Sequence, residues 1–112
     1  MKRVDNQFRQ RVLQIVEQIP RGKVMTYGQI AALAGAAWAA WEVGQIAHTG
    51  PSKLPWQRVV NKNGGLARGY PGGMNGHKAD LEAEGIEVDE DYRVDIEGLL
   101  WRPPQQNQGS LL

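Results

Sequence analysis

Side chains that could carry out catalysis are few in this sequence of 112 residues. Its two histidines, His48 and His77, have no carboxylate at metal-ligand spacing, so each is interpreted as a surface or loop histidine. No nucleophile-elbow pattern surrounds a serine or threonine. The absence of cysteine excludes disulfides, thiolate metal sites and cysteine nucleophiles. The residues therefore predict a protein that is not an enzyme and that needs no cofactor or metal.

The central segment Leu54-Pro55-Trp56-Gln57-Arg58-Val59-Val60-Asn61 places a large aromatic side chain beside two polar ones. Proline restricts its own backbone and that of the residue before it, so Trp56 is expected on a rigid corner. The two valines favour an extended run, and Asn61-Lys62-Asn63-Gly64 supplies turn residues to end it. From the residues alone, Trp56 is either a core aromatic or part of a binding site.

The composition limits the class of protein. An apolar fraction of 41% in 112 residues fits one globular domain with a modest core. A net charge of +1 is too small to indicate nucleic-acid binding by itself, so such a surface would need local clustering. No leader or long apolar stretch is visible, so we expect a cytoplasmic protein without a membrane partner. We expect the domain over residues 1–102 and a disordered polar tail over residues 103–112.

The elements that must position the central segment are mainly helical. Residues 5–19 carry apolar side chains at helical spacing and predict a core-packing helix. Thr26 and Gln29 have the spacing of a capping box, which starts a second helix that stops at Gly35. A third helix is predicted over residues 36–47. Two short helices joined by a glycine turn are typical of a helix-turn-helix.

The third helix is predicted to have two different faces. At about 100° per residue its small residues share one face, while Trp38, Trp41 and Gln45 lie on the opposite face. Tryptophans that point away from the packing face are either covered by another segment or presented to a partner. Gly44 weakens a helix by about 1 kcal/mol relative to alanine, which predicts a close backbone approach there.

The remaining segments predict a small β element. The glycine-rich residues 63–73 lack the context of a phosphate-binding loop and are either a flexible cover beside a pocket or a plain connection. A short helix is predicted over residues 76–84, followed by a hairpin of residues 86–88 and 92–96. The expected fold class is therefore mainly α with a small β element.

Several blocks of the sequence resemble the O6-alkylguanine-DNA alkyltransferase family, in the family's order. Residues 55–59 resemble the active-site motif Pro-Cys-His-Arg-Val, with the reactive cysteine replaced by Trp56. Residues 19–31 resemble the segment before the DNA-binding helices, and Val43-Gly44 and residues 81–86 follow. A tryptophan at the cysteine position is similar to the alkyltransferase-like proteins of this family.

The resemblance implies a winged-helix-like, helix-turn-helix domain similar to the C-terminal domain of the transferases. It implies a non-enzymatic DNA-damage sensor that binds O6-alkylguanine in duplex DNA through a minor-groove helix and flips the base into a pocket. The implied partners are double-stranded DNA that contains O6-alkylguanine and the nucleotide excision repair proteins whose action it promotes. We expect the protein to be a monomer. Extruding a base costs a few kcal/mol, which stacking in a pocket offsets.

The resemblance also assigns roles to residues. Tyr27 matches the tyrosine that presses on the DNA phosphate of the target, and Arg68 matches a basic loop position near the flipped base. The implied lesion pocket consists of Tyr27, Trp56, Arg58, Val59 and Arg68. The implied DNA-binding residues of the helix-turn-helix are Thr26, Tyr27, Gln29, Trp38, Trp41 and Gln45.

Three positions differ from the transferases in what they can do. Gln57 replaces the family histidine and removes the general base, so Glu84, which matches the acidic triad member, has no histidine to orient. Trp41 stands where the recognition helix carries an arginine that fills the vacated base stack. An indole can intercalate as a wedge, but it cannot make the arginine's hydrogen bonds.

Two other functions fit the same residues. One is a general helix-turn-helix DNA-binding module without a lesion pocket, which would bind duplex DNA independently of damage. The other is a protein-interaction domain that uses exposed tryptophans, which would show no salt-dependent DNA binding.

Overall fold

A computed structural model describes residues 3–104, and its regular structure is mostly helical. The elements in chain order are α1 (Asn6–Gln18), β1 (Met25–Thr26), α2 (Tyr27–Leu33), α3 (Ala40–Thr49), a 3-10 turn (Trp56–Arg58), β2 (Val59–Val60), α4 (Gly73–Glu82) and α5 (Ile96–Leu99). The prediction of a mainly α fold with a small β element is confirmed. Most of the predicted polar tail, residues 105–112, lies outside the described residues.

Helix α1 forms because its apolar residues share one face and its first turn is capped. The side chain of Asp5 accepts a hydrogen bond of 2.8 Å from the backbone N–H of Phe8. Phe8, Val12 and Val16 are buried against α2 and α3. The predicted core helix is confirmed, and it supports the two helices that follow.

A pair of short parallel strands joins the start of α2 to the central segment. Met25 pairs with Val59 and Thr26 pairs with Val60. Both valines are fully buried, as expected for a strand that is covered on both faces. Tyr27 follows β1 directly, and the 3-10 turn that contains Trp56 leads directly into β2.

Helix α3 begins at Ala40 rather than at residue 36, which corrects the predicted boundary. Gly35, with a left-handed φ of +105°, follows α2, and residues 36–39 form a turn closed by a hydrogen bond of 2.9 Å from Ala39 N to Ala36 O. Trp38 therefore lies in the turn before α3 and not on the helix.

The C-terminal part of the described chain packs on a second buried cluster. This cluster contains Val24, Val60, Leu66, Leu81, Ile86 and Val94. The predicted hairpin of residues 86–88 and 92–96 is wrong, because residues 92–94 hydrogen-bond to residues 64–66 instead. The acidic turn itself is present and is closed by hydrogen bonds between Asp89 and Arg93 and between Tyr92 and Asp89. The helix predicted over residues 76–84 begins earlier, at Gly73.

Over residues 3–104, none of the helices combines the length and the apolar character that crossing a membrane would require.

Candidate nucleic-acid interface

A cleft of about 1040 Å³ lies between α3, the Trp56 corner and the loop of residues 67–71. Its volume is at the upper end of the range for sites that enclose small molecules. Among the residues that line it are Tyr27, Trp41, Gly44, Gln45, His48, Trp56, Gln57, Arg68 and Tyr70. Aromatic, amide and cationic side chains therefore converge on one concave surface.

Trp56 forms one wall of the cleft. It is half-buried and packs against the first core cluster, while its indole Nε1 donates a hydrogen bond of 2.9 Å to the carbonyl of Pro51. Backbone bonds close the corner on both sides, from Trp56 N to Leu54 O and from Arg58 N to Pro55 O. The indole is thus held in place by contacts outside the cleft, and part of its surface faces the cleft.

Tyr27 is the first residue of α2 and is also half-buried in the wall. Burial raises the pKa of its phenol, which therefore stays protonated and able to donate a hydrogen bond at neutral pH. The predicted capping box is confirmed, with Gln29 N donating to Thr26 Oγ1 at 3.0 Å and Thr26 N donating to Gln29 Oε1 at 3.3 Å. The Gln29 amide also donates to Trp101 O at 2.6 Å. Thr26 and Gln29 hold the start of α2 and do not line the cleft.

Arg58 and Val59 were predicted in the pocket, but the structure places them behind it. Val59 is fully buried in β2. The guanidinium of Arg58 donates to Glu84 at 3.0 Å and to the carbonyl of Ile19 at 2.7 Å. The reason is electrostatic, because a buried carboxylate attracts the nearest cation and removes it from the cleft wall.

Glu84 is the acceptor that holds this region together. Its side chain is 4% exposed and accepts hydrogen bonds from Gly22 N at 2.9 Å, from Gln57 Nε2 at 2.8 Å and from Arg58. Burial alone would raise the pKa of Glu84, but these donors outweigh it and lower the pKa. Glu84 is therefore an ionised acceptor, and the residue it orients is Gln57.

Helix α3 presents a polar and aromatic face to the cleft. Trp41 is 70% exposed, and Gln45, one turn later, is also exposed and lines the same cleft. Apart from its chain neighbours and the backbone of its own helix, no heavy atom of the described chain lies within 4 Å of the position that a Cβ on Gly44 would occupy. The close approach predicted at this glycine is thus not made by the described part of the chain. Trp38 is 43% exposed and does not line the cleft.

Sequence reasoning missed the role of His77 and Tyr70. His77 was interpreted as a surface or loop residue, but it is fully buried on α4, whereas His48 is exposed as predicted. The His77 ring stacks on Tyr70 with 4.4 Å between centroids, and Tyr70 lines the cleft. His77 stands four residues before Leu81, on the buried face of α4, and this spacing was the available signal. Over residues 3–104 there is no group of three or more metal-ligating side chains.

Residues 7–86 match a family model described as 6-O-methylguanine DNA methyltransferase, DNA binding domain. The chain belongs to this family. The resemblance found in the sequence is therefore confirmed, and the region matched includes the helix-turn-helix and the Trp56 corner.

Two members of the family align with this chain over nearly their whole length. A DNA base-flipping protein of Vibrio parahaemolyticus is 41% identical over 101 residues, covering 88% of this chain and 99% of its own. Alkyltransferase-like protein 1 of Schizosaccharomyces pombe is 35% identical over 105 residues, covering 88% and 97%.

The fold is also similar to a solved member of the family. The crystal structure of S. pombe Atl1 in complex with damaged DNA containing O6-carboxymethylguanine matches with a TM-score of 0.79 and 34% identity. The match covers 90% of this chain and 100% of that chain. The predicted similarity to an alkyltransferase-like domain is thus confirmed for nearly the whole described structure.

Proposed function

We propose that this protein binds duplex DNA containing O6-alkylguanine, holds the extruded base in the cleft and leaves the alkyl group in place. The observation that carries this is the cleft itself, where Trp56 and Tyr27 meet Arg68 beside the second helix of a helix-turn-helix. The proposal is supported by the two relatives, one named as base-flipping and the other solved on damaged DNA as Atl1.

The energetics of base extrusion favour an aromatic cleft. Taking a base out of the stack costs a few kcal/mol, and less for a damaged or poorly paired base. Stacking on an aromatic side chain returns about 1–3 kcal/mol per base. Trp56 offers such a surface, and the exposed Arg68 at the mouth of the cleft supplies a cation for the base or for nearby phosphates.

Helix α3 and Tyr27 are proposed to hold the duplex. Gly44 leaves open space on the cleft face of α3, which allows a DNA backbone to approach the helix closely. The protonated phenol of Tyr27 donates to a phosphate, while Thr26 and Gln29 act through it by fixing the start of α2. Trp41 and Gln45 face the groove from α3, with Trp41 as the wedge that enters the vacated stack.

The residues of the same site favour binding of the lesion without transfer of its alkyl group. The sequence has no cysteine, and the residue beside Trp56 is an amide that donates to Glu84. An amide accepts no proton near neutral pH, so the position beside Trp56 supplies no general base, and the sequence supplies no cysteine nucleophile. A protein that binds a lesion and leaves it intact requires another system to remove it. We therefore propose the nucleotide excision repair proteins as its partners.

The exposed apolar side chains Leu33, Trp38 and Trp41 favour a second candidate, a protein-interaction domain. One titration separates the candidates: fluorescence anisotropy of the same duplex with and without one O6-methylguanine, at fixed salt. Preference for the damaged duplex supports the lesion sensor. Equal binding of both duplexes supports a general DNA-binding module. Absence of salt-dependent binding to either supports the protein-interaction domain.

A further inference from the structure

Among the described residues, His77 is a fully buried polar side chain that has no role in the proposed function. It lies on α4, behind the cleft, and its ring makes two hydrogen bonds to backbone atoms. Nδ1 accepts from the N–H of Ala67 at 3.0 Å, and Nε2 donates to the carbonyl of Gln57 at 2.8 Å. Because an amide N–H can only donate and a carbonyl can only accept, the ring is neutral with its proton on Nε2.

The two partners of His77 belong to different segments of the cleft lining. Gln57 follows Trp56 in the rigid corner, and Ala67 precedes Arg68 in the glycine-rich loop. The ring of His77 is therefore hydrogen-bonded both to the segment that carries Trp56 and to the segment that carries Arg68.

Tyr70 ties the same loop to α4 a second time. Its ring stacks on His77 at an angle of 13° between the planes, and its hydroxyl donates a hydrogen bond of 2.6 Å to Asp80 on α4. The loop is thus fastened at Ala67 and at Tyr70, on either side of Arg68. Side chains that hold a binding group from behind in this way determine how accurately it is positioned.

We propose that His77 is a positioning residue for lesion recognition, which fixes the distance between the Trp56 corner and the Arg68 loop. This role rests on the proposed function, because it concerns the fit of an extruded alkylated base between those two segments. His77 acts through Trp56 and Arg68 and touches no DNA. It therefore affects the discrimination between damaged and undamaged duplex more than the general affinity for DNA.

Protonation of His77 would break its hydrogen bond with Ala67. An imidazolium presents N–H at both nitrogens, so Nδ1 could no longer accept from Ala67 and would repel its N–H. Burial lowers the pKa of His77, and the hydrogen bond to the Gln57 carbonyl and the charge of Asp80 oppose this only partly. The other titratable groups around the ring are Tyr70, stacked on it, and Glu84, which accepts from the Gln57 side chain.

The lowered pKa of His77 determines the direction in which stability changes with pH. A histidine whose pKa in the folded protein lies below its usual value of 6.5 stabilises the fold fully above that value. This contribution is lost as the pH falls from about 6.5 through the lowered pKa. Lesion discrimination is expected to decline over the same range.

The test compares His77→Leu with His77→Gln. Leucine fills the space and makes neither hydrogen bond, whereas glutamine keeps one donor and one acceptor. We expect His77→Leu to weaken binding of an O6-methylguanine duplex about tenfold, the size of one hydrogen bond. Binding of the undamaged duplex should change less than twofold. His77→Gln should retain most of the discrimination.

A pH series keeps the proposal testable even where His77→Leu fails to fold. As the pH is lowered from 7 until the wild type begins to unfold, the ratio of the two affinities should fall for the wild type and stay level for His77→Gln. The other histidine of the sequence, His48, is exposed and also lines the cleft, so His48→Gln is measured in parallel to remove its titration. In the His48→Gln background, the ratio should still fall with pH while His77 is present and should stay level once His77→Gln is added.

The outcomes separate the two proposals. A wild type without lesion preference would overturn the proposed function and with it the role of His77. A wild type that prefers the lesion, together with equal losses on both duplexes in His77→Leu, would leave the proposed function standing and make His77 merely structural. An identical pH dependence in the wild type and His77→Gln would also overturn the role of His77.

Discussion

The side-chain amide of Gln57 donates a hydrogen bond of 2.8 Å to a carboxylate oxygen of Glu84. In the transferases that the sequence resembles, the position of Gln57 holds a histidine that activates the reactive cysteine. Here the carboxylate is in place, but the group it orients cannot take a proton. The proposed loss of alkyl transfer therefore involves the position of the activating base as well as the position of the attacking cysteine.

The first prediction is that restoring the nucleophile alone does not restore alkyl transfer. Trp56→Cys should remain essentially inactive, because a thiolate near neutral pH needs a basic or cationic neighbour. Trp56→Cys combined with Gln57→His places a base between the thiol and Glu84, and should transfer label measurably. The measurement is protein-bound radioactivity after incubation with DNA methylated at guanine O6. Stable label on the wild type, or on Trp56→Cys alone, would contradict the prediction.

The second prediction separates Trp56 from Tyr27. Trp56→Ala should weaken binding of the O6-methylguanine duplex by about tenfold or more, since stacking on a base is worth about 1–3 kcal/mol, and should affect undamaged duplex little. Tyr27→Ala should weaken both duplexes, because a phosphate contact positions DNA without reading its chemistry. Anisotropy titrations of the two variants with both duplexes give the four affinities. Equal losses for Trp56→Ala on both duplexes would make Trp56 a core residue instead.

The third prediction concerns Glu84 and the stability of the fold. Glu84→Gln removes a buried charge that accepts from Gly22, Gln57 and Arg58, and should lower the free energy of unfolding by about 2 kcal/mol at pH 7. The pKa of Glu84 is lowered in the folded protein, so its stabilisation is full above the usual value of 4.5. That stabilisation is lost as the pH falls through the lowered pKa.

Urea unfolding at pH 7 and at pH 3.5 checks this prediction. The difference between wild type and Glu84→Gln should shrink at the lower pH, because below 4.5 the unfolded chain binds a proton at Glu84 more readily than the folded protein does. Glu87→Gln is the matched control, because Glu87 is exposed just beyond α4 and should change stability by less than about 0.5 kcal/mol. A Glu84→Gln protein as stable as this control at pH 7 would contradict the prediction.

Local patterns in the sequence predicted the elements that frame the cleft. The Thr26 and Gln29 spacing located the start of α2 because a capping box involves atoms only three residues apart. Val59 and Val60 after the proline corner predicted an extended run for the same local reason, and the structure has a short buried strand there. Of the residues assigned to the lesion pocket or to DNA binding, five line the cleft: Tyr27, Trp41, Gln45, Trp56 and Arg68. The other five do not: Thr26, Gln29, Trp38, Arg58 and Val59.

Contacts between distant segments could not be read in this way. Arg58 was assigned to the pocket on the resemblance, but its guanidinium is held by Glu84, 26 residues along the chain. Residues 92–94 pair with residues 64–66 rather than with their neighbours, so alternation alone gave a false hairpin. In both cases the hydrogen-bond partner is determined by the tertiary arrangement, and the sequence pattern of a single segment carries no information about it.

The last prediction concerns Trp41, which is 70% exposed on the cleft face of α3. As an apolar wedge it can fill the vacated stack without a charge, because stacking on a base offsets a cost of similar size. Trp41→Ala should therefore weaken binding about tenfold, with little change in the slope of log affinity against log salt. Trp41→Arg should steepen that slope by about 0.9 for one added phosphate contact.

Base extrusion itself is followed by the fluorescence of 2-aminopurine placed next to the lesion. The wild type should increase the signal on binding, and Trp41→Ala should lose most of this increase. Trp38→Ala is the matched control, since Trp38 is a second exposed tryptophan that lies in the turn before α3 and outside the cleft. If Trp41→Ala extrudes the base as well as the wild type does, Trp41 is not the wedge. A loss confined to Trp38→Ala would then assign that role to the turn.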